Sequence, residues 1–126
     1  MIKSLIIVAH GSRVQESNDE VRALAEAVAL DLKSQFSMVT YAFLEIASPL
    51  LGEVIEQCAM QGAVQLVVLP YFLAPGRHIQ NDIPNIIDEK CKKYPALNIQ
   101  ILPYIGKDKM MKNLICDIIL HNSRIR

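Results

Sequence analysis

The stretch Leu5-Ile6-Ile7-Val8-Ala9-His10-Gly11-Ser12-Arg13 decides how the rest of the chain is read. Leu5 to Ala9 make an uncharged apolar run of strand length, which suits a strand buried on both faces. The run ends directly in a histidine, a glycine that permits a tight turn, and two polar residues. His10 is therefore expected at the carboxyl end of a sheet strand, the rim where open α/β sheets bind ligands. The apolar opening of the chain is too short and wrongly flanked for a signal peptide or a membrane span, so a soluble cytoplasmic protein is expected.

Runs of the same kind recur at Met38 to Leu44, Leu66 to Leu69 and Ile99 to Leu102. Between them lie segments with helical spacing. The first carries Val21, Leu24, Ala25, Val28 and Leu32 on one face, with Ser17 and Glu20 as a capping box. A second is expected to start at Ser48 as N-cap with Pro49 in its first turn, to bury Leu51, Val54, Ile55 and Cys58, and to stop near Gly62. A third runs from Asp82 or Pro84 to Tyr94, and a fourth from near Asp108 through Leu114, Ile115 and Ile118. Strand and helix alternate four times, so the right-handed crossover rule predicts an α/β fold, a four-stranded parallel sheet with helices on both faces. No linker or repeat divides the chain, and one domain over residues 1–126 is expected.

With 126 residues and 52% hydrophobic content, the chain is large enough to bury a core without staples. Thirteen basic residues balance thirteen acidic ones, which leaves no basic field for nucleic acid or anionic lipid. Only His121 to Arg126 are locally basic, and they read as a solvated terminus. Cys58, Cys91 and Cys116 are scattered and odd in number, each on or near the apolar face of a predicted helix, which argues against a disulfide framework.

Three side chains stand out at the predicted rim. His10 follows the first strand, Glu45 the second, and His78 lies in the loop beyond the third. Either histidine alone is as well explained by a bond to nearby backbone, and Glu45 by solvation in a loop; together they make a workable ligand set for Fe, Co, Ni or Zn. Asp82 reads most simply as a helix N-cap, with an orienting bond to His78 as the alternative. Tyr71, Phe72 and Leu73 either pack under their loop or meet a flat apolar ligand. Arg13 and Arg77 are either solvated or paired with substrate carboxylates, and the turn at Ser12 offers backbone N–H groups to an anion. Pro75 and Gly76 allow the loop before His78 to bend. The first loop lacks G-x-G-x-x-G and the P-loop pattern, which disfavours a nucleotide binder and an ATP-driven mechanism.

Three motifs in order, the His10-Gly11-Ser12-Arg13 loop with Asn18 downstream, Ala42-Phe43-Leu44-Glu45-Ile46-Ala47-Ser48-Pro49, and the segment from Leu69 to Pro84, resemble the CbiX/SirB family of class II tetrapyrrole chelatases. The resemblance spans nearly the whole chain and implies a chelatase half-domain. It further implies ATP-independent insertion of Co²⁺ or Fe²⁺ into sirohydrochlorin, on the route to cobalamin or siroheme, with Ni²⁺ as a further candidate metal. No permanently bound cofactor is implied. His10 and His78 match the family's metal-binding and catalytic histidines and Glu45 its active-site glutamate; Ser12, Arg13, Tyr71, Phe72, Leu73 and Arg77 fall where substrate would be held. Longer relatives carry two such domains facing one another, so a homodimer is expected here. A protein that only binds or delivers the metal or the tetrapyrrole is the alternative reading of the same rim.

Overall fold

The computed structural model describes residues 2–122. Four parallel strands, β1 (Lys3–Ala9), β2 (Met38–Phe43), β3 (Gln65–Pro70) and β4 (Asn98–Ile101), form one sheet in the order β2-β1-β3-β4. The helices are α1 (Gln15–Leu32), α2 (Leu51–Met60), α3 (Ile83–Lys93) and α4 (Met110–Asn122). A π-helical turn over His78–Asp82 precedes α3, and a 3-10 turn over Ile105–Lys107 precedes α4. The four-fold strand and helix alternation read from the sequence is the observed architecture.

The order of strands sets the layers. The β1 to β2 connection travels one way along the sheet and the β2 to β3 connection the other, so right-handed crossovers put α1 on one face and α2 on the opposite one. The β3 to β4 step continues in the second direction, and α3 joins α2. β1 is flanked on both sides, with Ile7 paired to Tyr41 of β2 and to Leu69 of β3, and Ser4 to Ala9 are all buried. This central position explains its uninterrupted apolar run. Ile6, Val8, Leu66 and Val68 meet Leu51, Val54, Ile55 and Cys58 of α2 and Ile83 and Ile87 of α3 in the main core. Each such large side chain contributes about 1.5–3 kcal/mol by leaving water. On the other face Ala9, Val21 and Phe43 form a smaller cluster.

Several expected boundaries differ. Helix α1 starts before Ser17, at Gln15, with Val14 at the N-cap and no side-chain cap, so the Ser17–Glu20 capping box is not formed. The reason lies in the preceding loop: Val14 N–H donates to Ser12 Oγ, and Asn18 closes the turn onto Ser12, which commits the chain to helix early. Leu24, expected on the inward face of α1, is 38% exposed. Ser48 is not the cap of α2. After β2 the chain turns through residues 44–49 and returns to Phe43, whose N–H donates to Pro49 O and which bridges Leu50; the Ser48–Pro49 peptide is cis, and the helix begins at Leu51. The four expected inward residues of α2 are all buried.

Helix α4 departs most. None of its residues is buried; Leu114, Ile115 and Ile118 are each 51% exposed and Leu120 is 76% exposed. Only its start is seated, where Met110, Met111 and Leu114 join Leu69, Leu102, Tyr104 and Ile105 around an apolar groove of about 450 Å³. Cys58 is buried and Cys91 half-buried, whereas Cys116, expected near an apolar face, is exposed on α4. Residues 123–126 of the basic tail lie outside the described residues. Among the described residues no helix is long and apolar enough to cross a membrane.

Candidate metal and substrate site

Strand order reverses at β1, whose parallel neighbours β2 and β3 lie on opposite sides of it, and the crevice beyond the carboxyl ends of these strands is the topological switch point. All three rim residues meet there. One ligand atom each from His10, Glu45 and His78 lie within 4.8 Å of one another. Ligands bound at about 2.1 Å to a tetrahedral ion sit roughly 3.4 Å apart. A modest side-chain rotation therefore closes the set around a cation.

Backbone contacts build this convergence. Gly11 has φ of 103°, a left-handed conformation that favours glycine, and a Cβ there would stand 1.9 Å from the Glu45 carbonyl oxygen. The two rim loops thus touch at a point only glycine fits. Glu45 N–H donates to His10 O at 3.1 Å and fastens the same pair of segments. Ile46, a β-branched residue, has φ of 72°, and Ala47 N–H donates to Glu45 O at 2.8 Å, which together make a tight three-residue turn under strain. Such strain persists where surrounding structure imposes it, and it clusters at functional sites.

His10 Nε2 lies 2.6 Å from Glu45 Oε1, with side chains 44% and 55% exposed. Atoms that share one proton at this distance present converging lone pairs, and a divalent cation can replace the proton between them. The His10 and His78 rings are 4.6 Å apart and tilted by 38°, and Phe72 stacks on the far side of His78 at 6.2 Å. Asp82, for which an N-cap role was the simpler expectation, makes no cap bond; its Oδ2 lies 2.6 Å from His78 Nδ1. The π-helical turn runs without a break into α3, so its end needs no side-chain cap.

The expected substrate residues divide. Phe72 is committed to His78 and the core, while Tyr71 and Leu73 are 38% and 69% exposed at the rim. Gly106, in the turn before α4, clasps this segment: its N–H donates to Phe72 O, and an added Cβ would stand 1.8 Å from Leu73 O. Arg13 and Arg77 are exposed, and among the described residues neither pairs with a carboxylate. Ser12 and Arg13 line a depression of about 420 Å³ with Gln15, Asn18, Ile46, Ala47 and Ser48, beside the His10 loop. A second depression of about 270 Å³ holds Glu45, His78 and Asp82 together with Leu44, Asn85 and Ile86. Asn85 and Ile86 escaped sequence reading; their only signal is a position one turn of helix beyond Asp82.

Residues 4–121 match the CbiX family model. The chain belongs to the CbiX family. It is 35% identical over 118 residues to a chloroplastic sirohydrochlorin ferrochelatase of Arabidopsis thaliana, covering 93% of this chain and 51% of that one. It is 35% identical over 111 residues to a sirohydrochlorin cobaltochelatase of Sulfolobus acidocaldarius, covering 88% and 85% of the two chains. Its fold superposes on the sirohydrochlorin chelatase SirB of Bacillus subtilis subspecies spizizenii, solved in complex with cobalt, with a TM-score of 0.85 and 27% identity, over 98% of this chain and 52% of that one. The CbiX chain described here thus spans about half the length of some relatives and most of the length of others.

Proposed function

We propose that this protein inserts a divalent metal, Co²⁺ or Fe²⁺, into sirohydrochlorin without ATP. The convergence of His10, Glu45 and His78 at the switch-point rim carries the reading. Both metals occur in the names of the chelatases to which the chain is similar. Metallation removes the two pyrrole protons of the macrocycle, strips water from the ion, and forms the metal–nitrogen bonds. His10 and His78 hold the ion through neutral imidazole nitrogens, and the Glu45 carboxylate, adjacent to the ion, accepts the two pyrrole protons in turn and passes each to solvent before taking the next. The half-exposure of both partners lets protons and water leave.

Tyr71 and Leu73 offer apolar surface to a face of the flat ring. Arg13, Arg77 and the Ser12 turn meet its carboxylate rim as planar or backbone donors. One domain supplies one wall, and we propose that a second copy of the chain supplies the other. The doubled length of some relatives supports this, as do Ile115, Ile118, Ile119 and Leu120 of α4, each more than half exposed. A mass in solution of one monomer contradicts the paired form.

Purified protein, sirohydrochlorin and Co²⁺ or Fe²⁺ under anaerobic conditions should give an absorbance change of metallation faster than the protein-free rate, with many products formed per site. Replacing both histidines with alanine should abolish the acceleration. A wild-type rate equal to the protein-free control rejects the proposal, and a yield limited to one product per site makes the chain a carrier instead.

A further inference from the structure

We propose that Asp82 is a positioning residue that fixes the tautomer and orientation of His78, so that Nε2 of this ring is presented to the incoming cation. The inference rests on the metal-site reading above and deepens it. Asp82 Oδ2 lies 2.6 Å from His78 Nδ1, and a carboxylate there can only accept, so Nδ1 carries the proton. A neutral imidazole protonated at Nδ1 keeps its lone pair on Nε2.

Five further observations single out this bond. Asp82 is spared the usual task of its position: it stands at the start of α3 with helical angles, φ of −68° and ψ of −48°, and caps nothing. Its only ionic partner among the described residues is His78. The backbone between them is a π-helical turn, in which Ile83 N–H donates to His78 O. Such turns occur mostly as single insertions, frequently at functional sites, and this one offsets His78 from the register of α3. Ile83, fully buried, pins the residue after Asp82 to the core, so the carboxylate has a fixed base from which to hold the ring at the other end of the π-helical turn. Phe72 stacks on the ring face, with centroids 6.2 Å apart, and limits its movement on that side.

The test is nitrogen-15 NMR of the full chain with labelled histidine, recorded at about pH 8, where an ordinary imidazole is neutral. His78 signals are identified by their loss in His78→Gln. In the metal-free wild type, His78 should show a protonated Nδ1 and a bare Nε2. In Asp82→Ala the proton should move to Nε2, and the dissociation constant for Co²⁺ alone should rise about 10–100-fold. Asp82→Asn, whose amide oxygen still accepts the Nδ1 proton, should keep the tautomer and recover most of the affinity. Should Asp82→Ala not fold, the wild type and Asp82→Asn decide.

A wild-type His78 protonated at Nε2 overturns the inference, as does an Asp82→Ala protein that keeps both tautomer and Co²⁺ affinity. Failure of the chelatase reading looks different: tautomer and affinity respond as stated, yet sirohydrochlorin is not metallated.

Discussion

Replacing Gly11 with alanine tests how the rim is assembled, because a single methyl must go where the Glu45 carbonyl already is. The added Cβ would stand 1.9 Å from Glu45 O and 3.1 Å from Glu45 C, on a backbone whose φ of 103° resists a side chain. Reaching even the closest tolerated contact requires the carbonyl to retreat by about 1 Å, and that displacement has no free direction. The same oxygen accepts from Ala47 N–H across the strained turn at Ile46, and Glu45 N–H is bonded to His10 O. Movement therefore carries the Glu45 side chain away from His10 Nε2. Local backbone strain of this kind costs about 1–3 kcal/mol, and a 1 Å error at a reacting group costs about 100-fold in rate. Gly11→Ala should thus lose about 1–3 kcal/mol in urea unfolding and slow anaerobic cobalt insertion by about 100-fold. Gly76→Ala, whose new methyl meets nothing within 4 Å, should change stability by less than about 1 kcal/mol. A Gly11→Ala protein equal to wild type in both stability and rate refutes the claim that close contact of the two loops builds the site.

Other consequences follow from the same geometry. Asn18 is buried and bonds Ser12 N–H and Ser12 O at 2.9 and 2.7 Å, so Asn18→Ala should destabilise by about 1–3 kcal/mol in thermal or urea unfolding. Gly106→Ala would drive a Cβ to 1.8 Å from Leu73 O; a melting temperature several degrees below wild type is expected, and an unchanged one contradicts the clasp. Thiol reagents should label exposed Cys116 quickly and buried Cys58 only on unfolding. Burial also pushes the Cys58 thiol up from 9.0, so the native state keeps a proton that the unfolded chain releases. This group's contribution is complete below about pH 9 and is lost as the pH rises beyond it, and the loss with pH should be shallower in Cys58→Ala.

The fold was legible because β1 and β3 carry their burial in composition: a central parallel strand needs apolar residues on both faces, and Leu5 to Ala9 leave no other reading. The inward face of α2 followed from helical spacing. Helix starts were less legible, since Ser17 and Ser48 are good caps in isolation and lose to contacts the sequence does not display. Ser12 and Asn18 close one turn early, and the pairing of Phe43 with Pro49 and Leu50 keeps the other segment out of helix as far as Leu50. His10, Glu45 and His78 were legible as rim residues because each follows a strand of one parallel sheet, and parallel strands deliver their ends to the same side. For Asp82 the simpler N-cap reading gives way to its alternative, a bond to His78, because helix continues unbroken through its position. The π-helical turn that joins them leaves no mark in composition.

The central claim, that His10 and His78 hold the metal with Glu45 beside it, is tested most directly by anomalous X-ray diffraction at the cobalt edge from crystals grown with Co²⁺. The account predicts a peak among those three side chains, lost in a protein with both histidines replaced by alanine. Cobalt bound elsewhere, or still bound at this rim after both histidines are gone, contradicts it.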